Sequence, residues 1–295
     1  MFDIVGDIHG HADKLYSLLD MLGYRHREGL FYHPARKIIF LGDYINKGPQ
    51  SLQTLQTVRK MVAAESAYAI LGNHEFNLLG YFNQNKNGDY IRPRTAKNTE
   101  QHQPTFDSFG DNSSLLQEYI QWLQSLPLFL EFEGLRVAHA YWHQESVDYI
   151  RKNFPQNCLD DQVLQELTPD SRVYHAAQEI VEGLRLPLPE EAGGGTFKAR
   201  WWNTGKSEEY EELAIRPDSS LNNPNITTAY LALDQYHYPE DARPLFFGHY
   251  NLPGKPMLLA HNYTCLDFNQ QDHTTLVAYR WDGEQMLDSR KLVWC

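Results

Sequence analysis

Cysteine is scarce in this chain: three residues in 295, at Cys158, Cys265 and Cys295. Their odd number and wide spacing exclude a disulfide framework and supply no zinc or redox pair. Reduced thiols in a cytoplasmic protein are the expectation. Long apolar runs are missing too; none approaches the ~20 residues that span a bilayer. The opening MFDIVGDIHG lacks a basic start and meets an acid at Asp3, so no secretion signal is expected. Positive charge is short: 26 Lys and Arg stand against 38 Asp and Glu, a net charge of −12. That argues against nucleic acid or an anionic membrane surface as the main partner, because both select for basic patches. The remaining composition, 42% apolar and 22% charged, is that of a globular protein able to bury a core without covalent staples.

What is present is a recurring local event. Short runs rich in Ile, Val, Leu, Phe and Tyr end abruptly in small, polar residues. Residues 2–5 run into GDIHG, 37–41 into GDYINKG, 67–71 into GNHE, 135–138 into His139, and 244–247 into GHY. Four or five residues of this kind predict buried strands. Between the first three, residues 11–22 and 51–62 carry leucines and valines at helical spacing, with Pro49 before the second. Alternating strand and helix predicts an α/β fold, whose ligands gather beyond the carboxyl ends of the strands.

Two stretches read as insertions. Residues 80–112 are polar and predict a loop or flap, followed by a helix over 114–126 that Pro127 ends. Residues 141–243 predict a cap folded onto the same core, so that 1–295 forms a single domain. After Asn251 the period shortens, predicting strands at 257–261, 264–268, 275–281 and 290–294. Asp282-Gly283 would form a hairpin turn, and the meander would close a second sheet.

The strand ends deliver Asp7, His9, Asp43, Asn73, His74, His139 and His249. Oxygen and imidazole ligands without thiolate suit hard to borderline divalent ions. Two divalent cations, set against Asp7, Asp43 and a bridging hydroxide, leave about one positive charge to attract phosphate.

Taken in order, GDIHG, GDYINKG, GNHE, His139 and Gly248-His249 resemble the calcineurin-like metallophosphoesterase superfamily. The GNHE form and the single GH, with Asn251 where other branches place a second histidine, are similar to the serine/threonine-phosphatase branch. That branch includes bacterial protein phosphatases and symmetrical diadenosine tetraphosphatases. The resemblance implies a two-sheet β sandwich flanked by helices. It implies Asp7, His9 and Asp43 on one metal, and Asp43, Asn73, His139 and His249 on a second. It further implies phosphoester hydrolysis by a metal-bound hydroxide, with His74 as proton donor. Mn²⁺ is the first expectation for the metal, with Fe²⁺, Zn²⁺ and Mg²⁺ as alternatives.

Two positions depart from the family pattern. Asn46 stands where an aspartate orients the histidine, and Lys47 where an arginine grips phosphate. Asn46 is expected to accept a hydrogen bond from the imidazole without stabilising its charged form. Lys47 keeps the charge but loses the bidentate fork. In the cap, Arg200 is a candidate second phosphate clamp. Trp201 and Trp202 could stack a base or be ordinary core, and Arg92 and Arg94 are weaker candidates for substrate contact. His11 is expected at the rim, and His143 at the surface. The substrates left open are a phosphorylated small molecule, a nucleotide or a phosphoprotein. A metal-binding scaffold without catalysis is the alternative from another class.

Overall fold

The computed structural model describes residues 1–204, 206–207, 209–221, 233–270 and 273–295; residues 205, 208 and 222–232 of the expected cap lie outside the described residues. In chain order the strands are β1 (Phe2–Val5), β2 (Arg25–Arg27), β3 (Leu30–Tyr32), β4 (Lys37–Phe40), β5 (Ala67–Ala69), β6 (Phe129–Glu131), β7 (Arg136–Ala138), β8 (Arg185–Pro187), β9 (Thr196–Lys198), β10 (Leu245–Phe247), β11 (Leu252–Pro253), β12 (Tyr263–Cys265), β13 (Asp267–Gln270), β14 (His273–Trp281) and β15 (Leu292–Trp294). The helices are α1 (Ala12–Met21), α2 (Ser51–Ala63), α3 (Asn73–Phe82), α4 (Ala96–Phe109), α5 (Ser113–Gln124), α6 (Gln144–Asn153), α7 (Asp161–Glu166), α8 (Arg172–Glu182) and α9 (Tyr210–Leu213).

Two sheets face each other. The first runs β11-β13-β14-β1-β4-β5, with β15 also on β14; the second runs β12-β10-β7-β6. β1, β4 and β5 are parallel, as are β7, β10 and β12. Side-chain alternation along the strands divides the core in two. Ile4, Ile39, Val137, Phe246, Val277 and Tyr279 fill one apolar cluster. Their strand neighbours Val5, Phe40, Ala138, Phe247 and Ala278 join a second cluster, built with the leucines of α1 and the apolar residues of α2 and α8. Runs apolar on both faces are what a sheet covered on both sides requires.

Four expectations need correction. Residues 80–112 are not a loop: α3 continues to Phe82 and α4 occupies 96–109, capped by Thr95 Oγ1 on the Asn98 N–H. The segment has few apolar residues and a proline inside the helix at Pro104. It buries His102, Thr105 and Phe109 instead, and packs Phe106 against Tyr81 and Phe82. The tail does not close the second sheet alone. β14 pairs antiparallel with β1, so the tail completes the first sheet, and only β12 joins the second. Residues 257–261 form no strand. The 282–291 connection is no two-residue turn, and Lys291 closes it on Asp282 and Glu284 at 2.9 and 2.8 Å.

Candidate active site

Five strand ends converge. His9 follows β1, Asp43 follows β4, Asn73 opens α3 after β5, His139 follows β7 and His249 follows β10. The backbone there is strained. His9, Asp43, Asn46, Lys47, His249 and Asn251 all have φ between 47 and 74°, a region that costs most side chains and persists only where surroundings enforce it. Close approach is the reason at Gly248, where a Cβ would meet Asp7 Oδ1 at 2.0 Å.

Asp43 stands at the centre. Its Oδ2 lies 3.7 Å from His9 Nε2 and 3.9 Å from His74 Nε2, while Oδ1 lies 3.3 Å from His139 Nε2. Two donor groups therefore share one carboxylate: Asp43 with His9 and His74, and Asp43 with His139 and His249. Asp7 Oδ2 lies 3.8 Å from His9 Nε2. Asn73 Oδ1 lies 3.1 Å from His139 Nε2 and 2.7 Å from His249 Nδ1. Each imidazole is aimed by its other nitrogen. His139 Nδ1 bonds Leu41 O at 2.7 Å, His249 Nε2 bonds Glu182 O at 2.9 Å, and His9 Nδ1 reaches Ile45 O at 3.4 Å. Such backbone anchors fix which nitrogen faces a cation.

The electrostatics call for positive charge. Burial pushes the Asp7 carboxyl well above its ordinary range, with Asp267 and Asp43 adding to the effect. Burial opposes protonation of His139, yet Asp43 and Asp7 overcome it and push the imidazole up to about 10. Burial holds His9 and His249 well below the usual imidazole value. Asp7 Oδ1 is buried with no hydrogen-bond partner among the described residues. An orphaned carboxylate oxygen beside converging imidazoles, with no thiolate, fits divalent cations.

Of the remaining predicted residues, Lys47 reaches into the cluster, its Nζ 2.6 Å from His9 Nε2. Asn46 meets His74, but through its Nδ2, 2.7 Å from His74 Nδ1, while its Oδ1 accepts from Thr105 Oγ1 at 2.6 Å. The amide thus donates to the imidazole, the reverse of the expectation. Burial lowers His74 to about 4, aided by Lys47, His139 and Arg92. Arg200 does not join the cluster; it precedes a single 3-10 turn at Trp201–Asn203 and faces Glu212. Lys198 takes that place, its ammonium against His249 Nε2, and burial lowers its pKa to about 8. β9 stops at Lys198, so the strand alternation does not carry on to Arg200. Trp201 and Trp202 are core, buried against Phe247. Arg92 binds Asn77 and Gln101, and Arg94 lies over Tyr90. His11 precedes α1, and His143 pairs with Glu179 at 2.8 Å.

Two supporting carboxylates escaped sequence reasoning. Glu75, fully buried, accepts the backbone N–H groups of Asp43, Tyr44 and Gly72 at 2.8–3.1 Å and so shapes the Asp43 loop. Asp267 accepts the Asn251 N–H at 2.6 Å. Glu75 is the last letter of GNHE and could have been found there; Asp267 sits in a tail strand with no local signal.

The Calcineurin-like phosphoesterase profile matches residues 1–250. A bis(5'-nucleosyl)-tetraphosphatase PrpE [asymmetrical] of Halalkalibacterium halodurans is 28% identical over 172 residues, 57% of this chain and 68% of that protein. The protein of the same name from Geobacillus sp. strain WCH70 is 30% identical over 176 residues, 57% of this chain and 68% of that protein. Among solved structures, a mutant of a cold-active protein tyrosine phosphatase superposes with a TM-score of 0.50 at 14% identity, covering 97% of this chain and 80% of that one. The family and the fold are those of a phosphoester hydrolase. The chain belongs to the calcineurin-like phosphoesterases, a family whose membership implies divalent metal ions. The names of the two relatives carry the word asymmetrical, while the branch that the sequence motifs resemble includes symmetrical diadenosine tetraphosphatases.

Proposed function

We propose that this phosphoesterase hydrolyses a nucleoside polyphosphate, with a bis(5'-nucleosyl) tetraphosphate as the leading substrate and asymmetrical cleavage as in the relatives. The observation that carries the reading is a cavity of about 510 Å³ at the mouth of the cluster. Lys47 and Lys198 line it beside His249, Arg185 and Arg216 stand in its wall, and Phe197 and Tyr210 add aromatic surface. Four cations in one cavity of a protein with a net charge of −12 suit a chain of phosphates, and the rings suit a base.

Asp7, His9 and Asp43 would hold one divalent ion, and Asp43, Asn73, His139 and His249 the other, with Mn²⁺ preferred over Fe²⁺, Zn²⁺ and Mg²⁺. Such ions supply Lewis acidity and an activated water for in-line displacement. The chain's own groups do the rest. Lys47 and Lys198 hold phosphate oxygens as point charges. Asn46 donates to His74 Nδ1, which leaves the one N–H of the neutral imidazole on Nε2, facing the cluster, to donate a hydrogen bond to the departing oxygen. We take 1–295 as one domain with 141–243 as its cap. In support, the apolar cluster of Val5 and Phe247 also contains Val147, Ile180 and Trp201. A cytoplasmic location fits three unpaired thiols. No helix among the described residues is long and apolar enough to cross a membrane.

The test is a panel of bis(5'-adenosyl) tetraphosphate, a phosphopeptide, an aryl phosphate and an aryl diester with Mn²⁺, Mg²⁺ and Zn²⁺. Up to two ions per chain are expected, with the mononucleotide and the nucleoside triphosphate as products. Preference for the phosphopeptide overturns the substrate. Metal-replete protein inactive on every compound returns the scaffold reading.

A further inference from the structure

Two residues of α4 stand behind Asn46, in the stretch whose composition predicts a loop. His102 and Thr105 are each fully buried and lie three apart on one helix face. The Thr105 hydroxyl accepts the Asn46 backbone N–H at 3.1 Å and donates to Asn46 Oδ1 at 2.6 Å. With its oxygen engaged, the Asn46 amide turns its NH₂ group inward. That group meets two imidazoles, His74 Nδ1 at 2.7 Å and His102 Nδ1 at 3.3 Å. One NH₂ carries two hydrogens, and two lone pairs face it. The reverse amide orientation would set a carbonyl oxygen against both Nδ1 atoms and force a proton onto each. A neutral His74 would then turn a bare Nε2 toward the cluster, with no N–H to donate. His102 has no other role at this spot: its Nε2 is buried without a partner among the described residues, and its ring is boxed by Tyr81 and Phe106.

We propose that His102 and Thr105 are positioning residues that lock the Asn46 amide, and through it hold His74 as the tautomer protonated on Nε2. The inference rests on the phosphoesterase reading for its kinetic consequence and not for its structural one. A carboxylate at residue 46 would need no such lock, because both of its oxygens accept. An amide is two-faced, and only its surroundings decide which face the catalytic imidazole meets.

The experiment compares Thr105→Val with Thr105→Ser, and His102→Phe with His102→Asn, in full-length protein. Asparagine offers a side-chain oxygen near the former Nδ1 position. Histidine ¹⁵N spectra, with the His74 signal assigned by its loss in His74→Asn, read the tautomer without reference to turnover. Wild type, Thr105→Ser and His102→Asn should show His74 protonated on Nε2; Thr105→Val and His102→Phe should show mixed tautomers. Kinetically, Thr105→Val should lower kcat about tenfold for an alkyl phosphate, the scale of one lost hydrogen bond to a departing oxygen that gains charge. For a dinitrophenyl ester, which leaves without a proton, kcat should change little, and KM and metal content should not move. A His74 signal unchanged in both Thr105→Val and His102→Phe overturns the proposal. So does an equal shift in Thr105→Ser and Thr105→Val. A tautomer shift in a protein inactive on all esters upholds the lock and removes the phosphoesterase reading alone.

Discussion

Asp3 and Asp7 sit four residues apart, the first within β1 and the second two residues past its carboxyl end, and both are buried. Asp3 is met by the chain's own cations. Arg36 Nε reaches its Oδ1 at 2.9 Å and Arg280 Nε at 3.2 Å, while Tyr24 OH donates to Oδ2 at 3.1 Å. Asp7 has the His249 N–H on one oxygen at 3.1 Å and nothing on the other among the described residues. A buried charge must be paired, hydrogen-bonded or neutralised. At Asp3 the fold does this internally; at Asp7 it leaves the task to a cation from outside. The difference teaches how to tell a structural carboxylate from a functional one at equal burial.

The contrast is broken most directly by exchanging the two losses. Asp7→Asn should lower turnover by about 10³-fold, the scale on which preorganised electrostatic stabilisation is lost. It should lower bound metal and leave the unfolding midpoint of the metal-free protein no lower than wild type. Asp3→Asn should do the opposite. Removing one partner of a buried pair costs about 3 kcal/mol in denaturant unfolding, while turnover per folded molecule stays as it was. An active Asp7→Asn, or a folded but inactive Asp3→Asn, would erase the distinction.

Asn46→Asp sharpens it, by adding a carboxylate on the cluster side. The His74 imidazole, now near 4, should rise because a carboxylate favours its charged form. The basic limb of the pH–rate profile should move up by about one unit, with a gain of about tenfold on poor leaving groups. An unchanged profile would remove Asn46 as the partner of His74. An effect of similar size is expected at Lys198→Met. The loss of one charged hydrogen bond should raise KM for the tetraphosphate roughly tenfold, and for an aryl phosphate no more than about twofold. Equal rises for both would place Lys198 outside the polyphosphate cavity.

The smallest effect concerns pH. In metal-free protein the His139 pKa is raised, from an unfolded value near 6.5 to about 10. Its contribution to stability is therefore complete below pH 6.5 and declines as pH rises toward 10. Lys198, lowered to about 8, acts in the opposite sense above that pH. Between pH 6.5 and 8 the metal-free protein should lose on the order of 1 kcal/mol per pH unit. Saturating Mn²⁺ should flatten the slope, because an ion takes the place of the proton. A slope indifferent to metal would show that His139 is not at the metal centre.

How far each feature could be read from the chain follows from the range of its cause. Strand runs ending in GDIHG, GDYINKG and GNHE are local: sharp turns, small residues and donor atoms lie side by side, so sequence reveals both the strands and the donors. The helix α4 was hidden because its burial rests on His102, Thr105 and Phe109 and it contains Pro104, so no leucine stripe marks it. The pairing of β14 with β1 joins residues nearly the whole chain apart, and no turn signal encodes it.

The chemistry divides along the same line. Which atoms could bind cations was settled by residue type at the strand ends, since carboxylate, amide oxygen and imidazole carry their donor capacity wherever they stand. Which face Asn46 shows to His74, and whether Lys198 or Arg200 reaches the cluster, was settled only in three dimensions. An amide has two ends and a cation has a direction, and both are fixed by neighbours that arrive from distant parts of the chain: Thr105 from α4 for the amide, and the end of β9 packed against His249 for the lysine.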